Sequence, residues 1–143
     1  MRESILPLFL SICCLLACNK VSSPGEANAA EINQLLNDLE LAFNYHDLDE
    51  IMTFYHEDFL HNGNDFDAET VIWDNRLLDY LELEIDNITV DVISGEYAVA
   101  SFTMTLSNQD GFVTSQEPSQ ENGDLSYLQL FFSDWKIVGN QQE

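Results

Sequence analysis

The chain has 143 residues, of which 45% are hydrophobic and 11% aromatic, a composition typical of one globular domain. Four Lys and Arg stand against 26 Asp and Glu, so the formal net charge is −22. This balance argues against nucleic-acid binding and against charge-driven docking onto anionic lipid, because both need clustered basic residues. The acidic residues are scattered and form no calcium-loop motif. We interpret them as a solvated surface that keeps the protein soluble, with low-affinity cation binding as the alternative.

Residues 1–17 are predicted to be a secretion signal. Arg2 supplies the positive start, and the apolar run 5–17 is too short for a comfortable membrane span. The run ends Leu15-Leu16-Ala17-Cys18, which resembles the lipobox of bacterial lipoproteins. That resemblance implies cleavage before Cys18 and attachment of lipid, palmitate included, to this cysteine. The alternative is an ordinary signal peptide with an incidental cysteine.

Residues 18–27 would then be the lipidated cysteine and a short tether, punctuated by Ser, Pro and Gly. The residue after Cys18 is Asn19, not an aspartate. By the same resemblance this implies a bacterial cell-envelope protein, facing the periplasm from the outer membrane if the cell is Gram-negative, with the membrane contacted through the lipid anchor only. All three cysteines lie before residue 19, so a disulfide scaffold or a cysteine zinc site in the domain of residues 28–143 is excluded.

Two helices are predicted first. Asn28 and Glu31 have capping-box spacing at the start of a long helix, and Asp47 and Glu50 repeat that spacing at the start of a short one. Apolar residues recur at helical intervals and give each helix one buried face. Those of the long helix are Ile32, Leu35, Leu36, Leu39 and Phe43; those of the short one are Leu48, Ile51, Met52 and Tyr55.

An extended segment begins at Phe59 and is broken at Asn62-Gly63-Asn64. Asp67 is then predicted to cap a third helix that runs from Ala68 to about Leu81. Its shared face carries Trp73, Leu77, Tyr80 and Leu81.

From Leu83 the apolar residues alternate, as in strands, but their parity shifts after Ile85. One extra residue near Asp86-Asn87 explains the shift and predicts a β-bulge that bends the sheet. A turn at residues 94–96 leads to a return strand, residues 97–106, with every second residue apolar.

A second turn, residues 108–111, leads to a strand that begins at Phe112, and a polar loop follows over residues 116–124. Leu125–Phe132 is apolar on both faces, which predicts a central strand. Trp135–Val138 is predicted to be the last strand.

This order of elements resembles the nuclear-transport-factor-2-like superfamily, and within it the SnoaL-like domains. Three stretches carry the likeness: Ala42–Gly63, Val92–Phe102 and Asp134–Val138. The resemblance implies an α+β fold, a cystatin-like cone in which a curved mixed β-sheet wraps around about three N-terminal helices. Relatives bind small molecules or act on them at the open mouth of the cone, and others only bind or dimerise through the sheet. Ketosteroid-isomerase-like relatives carry an acidic base where this chain reads Asn62-Gly63-Asn64.

Titratable side chains concentrate at His56, Asp58 and His61. A carboxylate near an imidazole could orient it, so Asp58 or His61 is the candidate general base of an enzyme. The alternative is structural: Asp58 hydrogen-bonds only the corner between helix and strand, and His56 is exposed. The spacing does not converge three groups on a metal, and neither a metal site nor a cofactor is predicted.

A ligand site is predicted at the mouth of the cone, bordered by Tyr55, Trp73, His61 and Tyr80, with ordinary core packing as the alternative for each aromatic residue. The leading function is a non-catalytic envelope lipoprotein domain that binds a small apolar or amphipathic molecule, or a protein partner. The alternative is a small isomerase, cyclase or dehydratase-type enzyme that uses Asp58 or His61 as base. A third hypothesis is a structural homodimer that pairs through the sheet.

Overall fold

The computed structural model describes residues 24–119 and 123–143. The predicted signal peptide, Cys18 and the first part of the tether lie outside these ranges. Within them, no helix is both long enough and apolar enough to cross a membrane.

Three helices form one side of the domain: α1 (Pro24–Asn44), α2 (Leu48–Thr53) and α3 (Phe66–Asp79). α1 begins at Pro24, before the predicted start at Asn28, and proline is well tolerated in the first turn of a helix. The predicted apolar faces of α1 and α2 are confirmed, because Ile32, Leu36, Leu39, Phe43 and Ile51 are all fully buried.

Side-chain caps set where the two shorter helices begin. Asp47 Oδ1 accepts a hydrogen bond from the Glu50 backbone N–H at 3.0 Å, as the sequence predicts. The predicted cap of α3 was wrong: Asp65 accepts from the Ala68 N–H at 2.9 Å, and Asp67 lies in the first turn. Both aspartates fit the sequence pattern, and the β-hairpin before α3 decides between them. α3 also ends earlier than predicted, since Tyr80 is already extended.

The sheet is built from antiparallel strands, of which the first two are long: β3 (Glu82–Ser94), β4 (Tyr97–Asn108), β5 (Gly111–Glu117), β6 (Tyr127–Phe131) and β7 (Asp134–Ile137). The strand order is β3-β4-β6-β7, and β5 also pairs with β4. Residues 97–99 of β4 pair with β6, and residues 102–108 of β4 pair with β5. The ladder pairs are antiparallel, and the parallel component of the predicted mixed sheet is an isolated bridge between Tyr55 and Ile137.

The predicted bulge in β3 is confirmed. The register of β3 against β4 shifts between Asp86 and Thr89, and Asn87 has a positive φ of 57°. A bulge increases the local twist and bends the strand. The bend lets the sheet curl around α1, which packs against β3.

The concave face of the sheet meets the helices and forms the core. The predicted alternation of β4 is confirmed, since Ala98, Ala100, Phe102, Met104 and Leu106 are all buried. The predicted strand from Leu125 was too long at its start, because residues 123–126 form a 3₁₀ turn that buries Leu125 and Ser126 before β6 begins. The predicted α+β cone is confirmed.

The C-terminal residues join the segment after α2 to the sheet. A two-residue strand β1 (Leu60–His61) pairs with β2 (Asn64–Asp65), as a small hairpin around Asn62-Gly63. The Leu60 N–H donates to the Val138 carbonyl at 3.1 Å, and the Gln141 N–H donates to the Leu60 carbonyl at 2.9 Å. The chain makes this return at Gly139, whose φ is +72°.

Candidate functional site

A cluster of polar and aromatic side chains occupies the interior of the cone. Three of them, Glu69, Trp73 and Arg76, lie four and three residues apart on one face of α3. Tyr55 joins them from the end of α2, and Asp124 joins them from the 3₁₀ turn before β6. We call these five residues the central cluster.

Arg76 is the cation of the central cluster. Its Nη1 donates to Asp124 Oδ2 at 2.9 Å and lies 3.6 Å from Glu69 Oε1. The guanidinium carbon lies 4.5 Å from the centre of the Trp73 ring, within the range of a cation–π contact. Trp73 Nε1–H in turn donates to the Tyr55 hydroxyl at 2.7 Å, and that hydroxyl lies 3.5 Å from Glu69 Oε1. The cluster is therefore held by linked contacts, which fix the orientation of the guanidinium.

The two carboxyl groups of the cluster hold different protonation states at neutral pH. Burial and the nearby Asp124 carboxylate raise the pKa of Glu69 to about 9. Burial acts in the same direction on Asp124, but the Arg76 guanidinium and hydrogen bonds outweigh it and lower the pKa of that group below its usual value. Glu69 is therefore neutral, Asp124 is ionised, and the charge of Arg76 is balanced within the cluster. Burial also raises the pKa of the Tyr55 hydroxyl well above its usual value.

A cavity of about 240 Å³ opens beside Arg76, between α3 and the concave face of the sheet. Met104 pairs with Ser115, and Leu106 pairs with Val113, so two cross-strand pairs of β4 and β5 form one wall. We call this space the Arg76 cavity. It is lined by Arg76, Tyr80, Met104, Leu106, Val113 and Ser115.

A second opening, of about 460 Å³, lies between the β1–β2 hairpin, the C-terminal residues and the chain after β5. Most of its lining side chains are polar. We call it the His61 cleft, and it is lined by His61, Asn62, Pro118, Ser119, Tyr127, Asn140 and Gln142.

His61 is 4% exposed and neutral at neutral pH. Burial lowers the pKa of its imidazole, against the opposing charges of Asp124 and Glu117. The backbone N–H of Asn140 donates to His61 Nδ1 at 3.2 Å. Because Nδ1 accepts this bond, the proton of the neutral ring is on Nε2. Among the described residues, Nε2 has no hydrogen-bond partner.

The residues predicted to form a ligand site are divided between these features. His61 lines the His61 cleft and Tyr80 lines the Arg76 cavity, while Tyr55 and Trp73 belong to the central cluster. The structure does not bring Asp58 to any of them. Its side chain is 89% exposed, and its backbone N–H donates to His56 Nδ1. Asp58 lies at the corner before β1, as the structural alternative expects, but its backbone N–H and not its carboxylate makes the hydrogen bond there. The exposed His56 of that alternative was wrong: its side chain is 22% exposed, and its ring stacks on Phe131 with the ring centres 3.8 Å apart.

Three members of the central cluster were not predicted from the sequence: Glu69, Arg76 and Asp124. A signal for two of them was present, because Arg76 is one of only four basic residues and shares a helical face with Glu69 and Trp73. Asp124 carried no such signal, since it lies in a polar loop 48 residues beyond Arg76. Across residues 24–119 and 123–143, no group of three or more His, Cys, Asp or Glu is placed to hold a metal ion.

No family model matches the chain, and no curated protein matches it either. Solved structures do. A protein of unknown function from Shewanella oneidensis, described as NTF-2-like, is 22% identical with a TM-score of 0.61, over 78% of this chain and 95% of that one. A candidate scytalone dehydratase from Novosphingobium aromaticivorans is 11% identical with a TM-score of 0.59, over 81% and 83%.

A protein of unknown function from Nostoc punctiforme, described as having a cystatin-like fold, is 12% identical, with a TM-score of 0.57 over 79% of this chain and 87% of that one. At sequence identities this low, the structural similarity establishes the fold and leaves the activity open. The resemblance seen in the sequence is thereby confirmed at the level of structure: the chain has the cone fold of the nuclear-transport-factor-2-like proteins.

Proposed function

We propose that this domain is a non-catalytic binding module, held at the bacterial cell envelope by lipid on Cys18, that takes a small amphipathic molecule in the Arg76 cavity. Cone-fold proteins differ widely in what they do, so the proposal depends on the site and not on the fold.

The observation that carries it is the state of the Arg76 guanidinium. Nη1 is occupied by Asp124 and Glu69, whereas Nε and Nη2 make no hydrogen bond to any described residue. The group is held in place by Asp124 and by the Trp73 ring, so little conformational entropy is lost when it binds a ligand. A fixed guanidinium with free N–H groups suits a carboxylate or a carbonyl oxygen, which it can bind through two parallel hydrogen bonds.

The rest of the cavity suits an apolar chain. Met104 and Leu106 are buried on the concave face, Val113 lies opposite Leu106, and Tyr80 borders the same space. Apolar side chains around one charged group are the usual composition of a small-molecule site, and about 240 Å³ is below the usual drug-sized range. A short aliphatic carboxylic acid fits both the size and the chemistry.

The positions of the two candidate bases support a non-catalytic role. Asp58 is exposed at the surface. His61 carries its proton on Nε2, and its Nδ1 is occupied by the Asn140 N–H, so neither nitrogen is a free acceptor of a substrate proton. Glu69 and Asp124 are 1% and 3% exposed and contact their own cluster.

The binding test is thermal unfolding of the full chain with octanoate and, in parallel, with octanol. A ligand that binds only the folded state raises the melting temperature as its concentration rises. Octanoate should do so, and octanol should do so less, because it lacks the second oxygen. Arg76→Lys keeps a cation beside Asp124 but removes the planar fork, and Val113→Phe narrows the cavity; both should abolish the octanoate effect. An equal octanoate shift in all three proteins would contradict the proposal.

The enzyme alternative has a separate test. Turnover of a steroid or polyketide substrate that falls at least tenfold in His61→Ala or Asp58→Asn, with the fold retained, would replace the binding role by an isomerase, cyclase or dehydratase role.

The envelope location has its own test in Cys18→Ser. We expect this variant to leave the membrane fraction, and the mature wild-type chain to carry the mass of lipid on Cys18. Wild-type protein without lipid, or a variant that fractionates with membranes as before, would contradict this part of the proposal.

A further inference from the structure

We propose that the His61 cleft is a second binding site, separate from the Arg76 cavity, for an uncharged molecule rich in hydroxyl groups, such as a monosaccharide. Four features of the cleft support this: its lack of charge, its unpartnered donor, its fixed amide side chains and its aromatic side.

The first feature is that, among the described residues, no carboxylate, lysine or arginine side chain lines the cleft. Acidic residues make up 26 of the 143 positions of the chain, yet the lining residues within the described ranges are histidine, amides, a serine, a proline and a tyrosine. His61 is itself neutral at neutral pH. Such a lining offers an ion no partner of opposite charge, whereas hydroxyl groups can both donate to it and accept from it.

The second feature is the buried Nε2–H group of His61. An unsatisfied buried donor costs free energy, so such groups are uncommon in native structures. His61 Nε2 has no partner among the described residues, and His61 lines the cleft. A ligand hydroxyl oxygen that accepts this proton would remove the cost, and that gain is available only to a ligand with an acceptor.

The third feature is a set of amide side chains that hold one another in place. Asn140 Nδ2 donates to Asn62 Oδ1 at 2.8 Å, and Asn140 Oδ1 accepts from the backbone N–H groups of Asn62 and Gln142 at 3.2 and 3.1 Å. Within residues 24–119 and 123–143, the Asn62 Nδ2 group and the Gln142 side-chain amide make no hydrogen bond. Asn140 therefore holds the Asn62 amide, whose Nδ2–H group is an oriented donor before a ligand arrives, and the exposed Gln142 amide supplies a further donor and acceptor that no hydrogen bond to a described residue restrains.

The fourth feature is an aromatic side. The Tyr127 ring is half-buried, and its centre lies 5.9 Å from the centre of the His61 ring. A sugar ring has an apolar C–H face and a polar edge, so it can lie against Tyr127 while its hydroxyls reach His61 and the amides. The volume, about 460 Å³, falls within the usual range of small-molecule sites.

The test uses the full chain and two probes of matched size, glucose and the anion gluconate, followed by heteronuclear NMR. Glucose should shift the amide signals of Asn62, Tyr127 and Asn140 in a saturable way, and gluconate should not. His61→Phe removes the Nε2–H donor and should weaken glucose binding roughly tenfold. Gln142→Ala changes an exposed residue that the fold does not need, so it should weaken binding with the structure intact. Leu78→Ala, at a 77% exposed position of α3, should leave glucose binding unchanged.

Three results would overturn the proposal: no saturable shift with glucose, an equal response to gluconate, or glucose binding retained in both His61→Phe and Gln142→Ala. If His61→Phe does not fold, Gln142→Ala and the gluconate comparison decide alone. The octanoate test concerns a different cavity and a different variant, so either proposal can fail without the other.

Discussion

Glu69 and Asp124 share one nitrogen of Arg76, which lies 2.9 Å from Asp124 Oδ2 and 3.6 Å from Glu69 Oε1. Glu69 and Asp124 are 1% and 3% exposed, and one guanidinium cannot offset the cost of ionising two carboxyl groups that are both closed off from water. The carboxyl group farther from the cation keeps its proton, and its pKa is raised to about 9. This buried proton makes the stability of the fold depend on pH.

The first prediction concerns that dependence. The pKa of Glu69 rises from 4.5 to about 9 on folding, so between these pH values the folded chain holds a proton that the unfolded chain has released. The free energy of unfolding should therefore fall as pH rises through this window, by at most about 1.4 kcal/mol per pH unit from this group. Asp124 acts in the opposite direction. Its pKa is lower in the folded chain than in the unfolded chain, so its contribution to stability is present above the unfolded pKa and is lost as the pH falls through the folded pKa. Denaturant titrations from pH 4 to pH 9 measure the slope.

The control is a pair of Glu→Gln substitutions, one in the central cluster and one at the surface. Glu69→Gln keeps a neutral hydrogen-bond donor beside Asp124 and removes the titrating group, so the slope should flatten. Glu84→Gln changes an exposed residue, so the slope should stay as in the wild type. An unchanged slope in Glu69→Gln would show that this carboxyl is ionised in the folded protein.

The second prediction is that Asp124→Ala destabilises the domain by about 3–5 kcal/mol, because it leaves the Arg76 guanidinium buried without its closest anion. Asp58→Ala, at an 89% exposed side chain, should cost less than about 0.5 kcal/mol. Urea unfolding of both variants measures the difference. Similar small losses would remove the ion pair from the interactions that hold the cone together.

The third prediction concerns the core between the helices and the sheet. Leu36 and Ile51 are fully buried, and Leu36→Ala or Ile51→Ala should each cost about 2–5 kcal/mol. Leu78→Ala, on a helix position that is 77% exposed, is the matched control and should be near neutral. A loss below about 0.5 kcal/mol at both buried positions would contradict the packing described above.

The fourth prediction tests the return of the chain at Gly139. Its φ of +72° is unfavourable for other residues, and a Cβ there would meet the Leu60 carbonyl and His61 Cβ. Gly139→Ala should cost at least about 1–3 kcal/mol. Gly95→Ala, where a Cβ meets nothing within 4 Å, should cost much less. Thermal unfolding of the pair checks this, and equal melting temperatures would show that the C-terminal residues are free to move.

Local patterns predicted much of the fold. Asp47 caps α2 as its spacing with Glu50 indicates, and the parity shift at Asp86 marks the bulge, because both effects act over a few residues. The start of α3 could not be read from local sequence, because Asp65 and Asp67 are both residue types that cap helices. The hairpin before the helix places Asp65 at the cap.

The central cluster could not be predicted in the same way. It depends on a contact between Asp124 and Arg76, which are 48 residues apart in the sequence, and the spacing of residues within one helix or strand does not predict such a contact. His61 was named as a candidate residue from the sequence, but its tautomer depends on the backbone of Asn140, 79 residues away. The cleft is built from residues 61–62, 118–119, 127, 140 and 142, so its chemistry follows only from the folded chain.

The hydrogen bonds from residues 56–63 to residues 137–142 also bear on how the domain folds. They join segments about 80 residues apart in the sequence. Such contacts form late in folding, because closing the long loop between them costs conformational entropy. α1 and the β3–β4 hairpin use nearer neighbours and can form earlier. The His61 cleft should therefore be the last part of the molecule to take shape during refolding, and the first to open when the native state fluctuates.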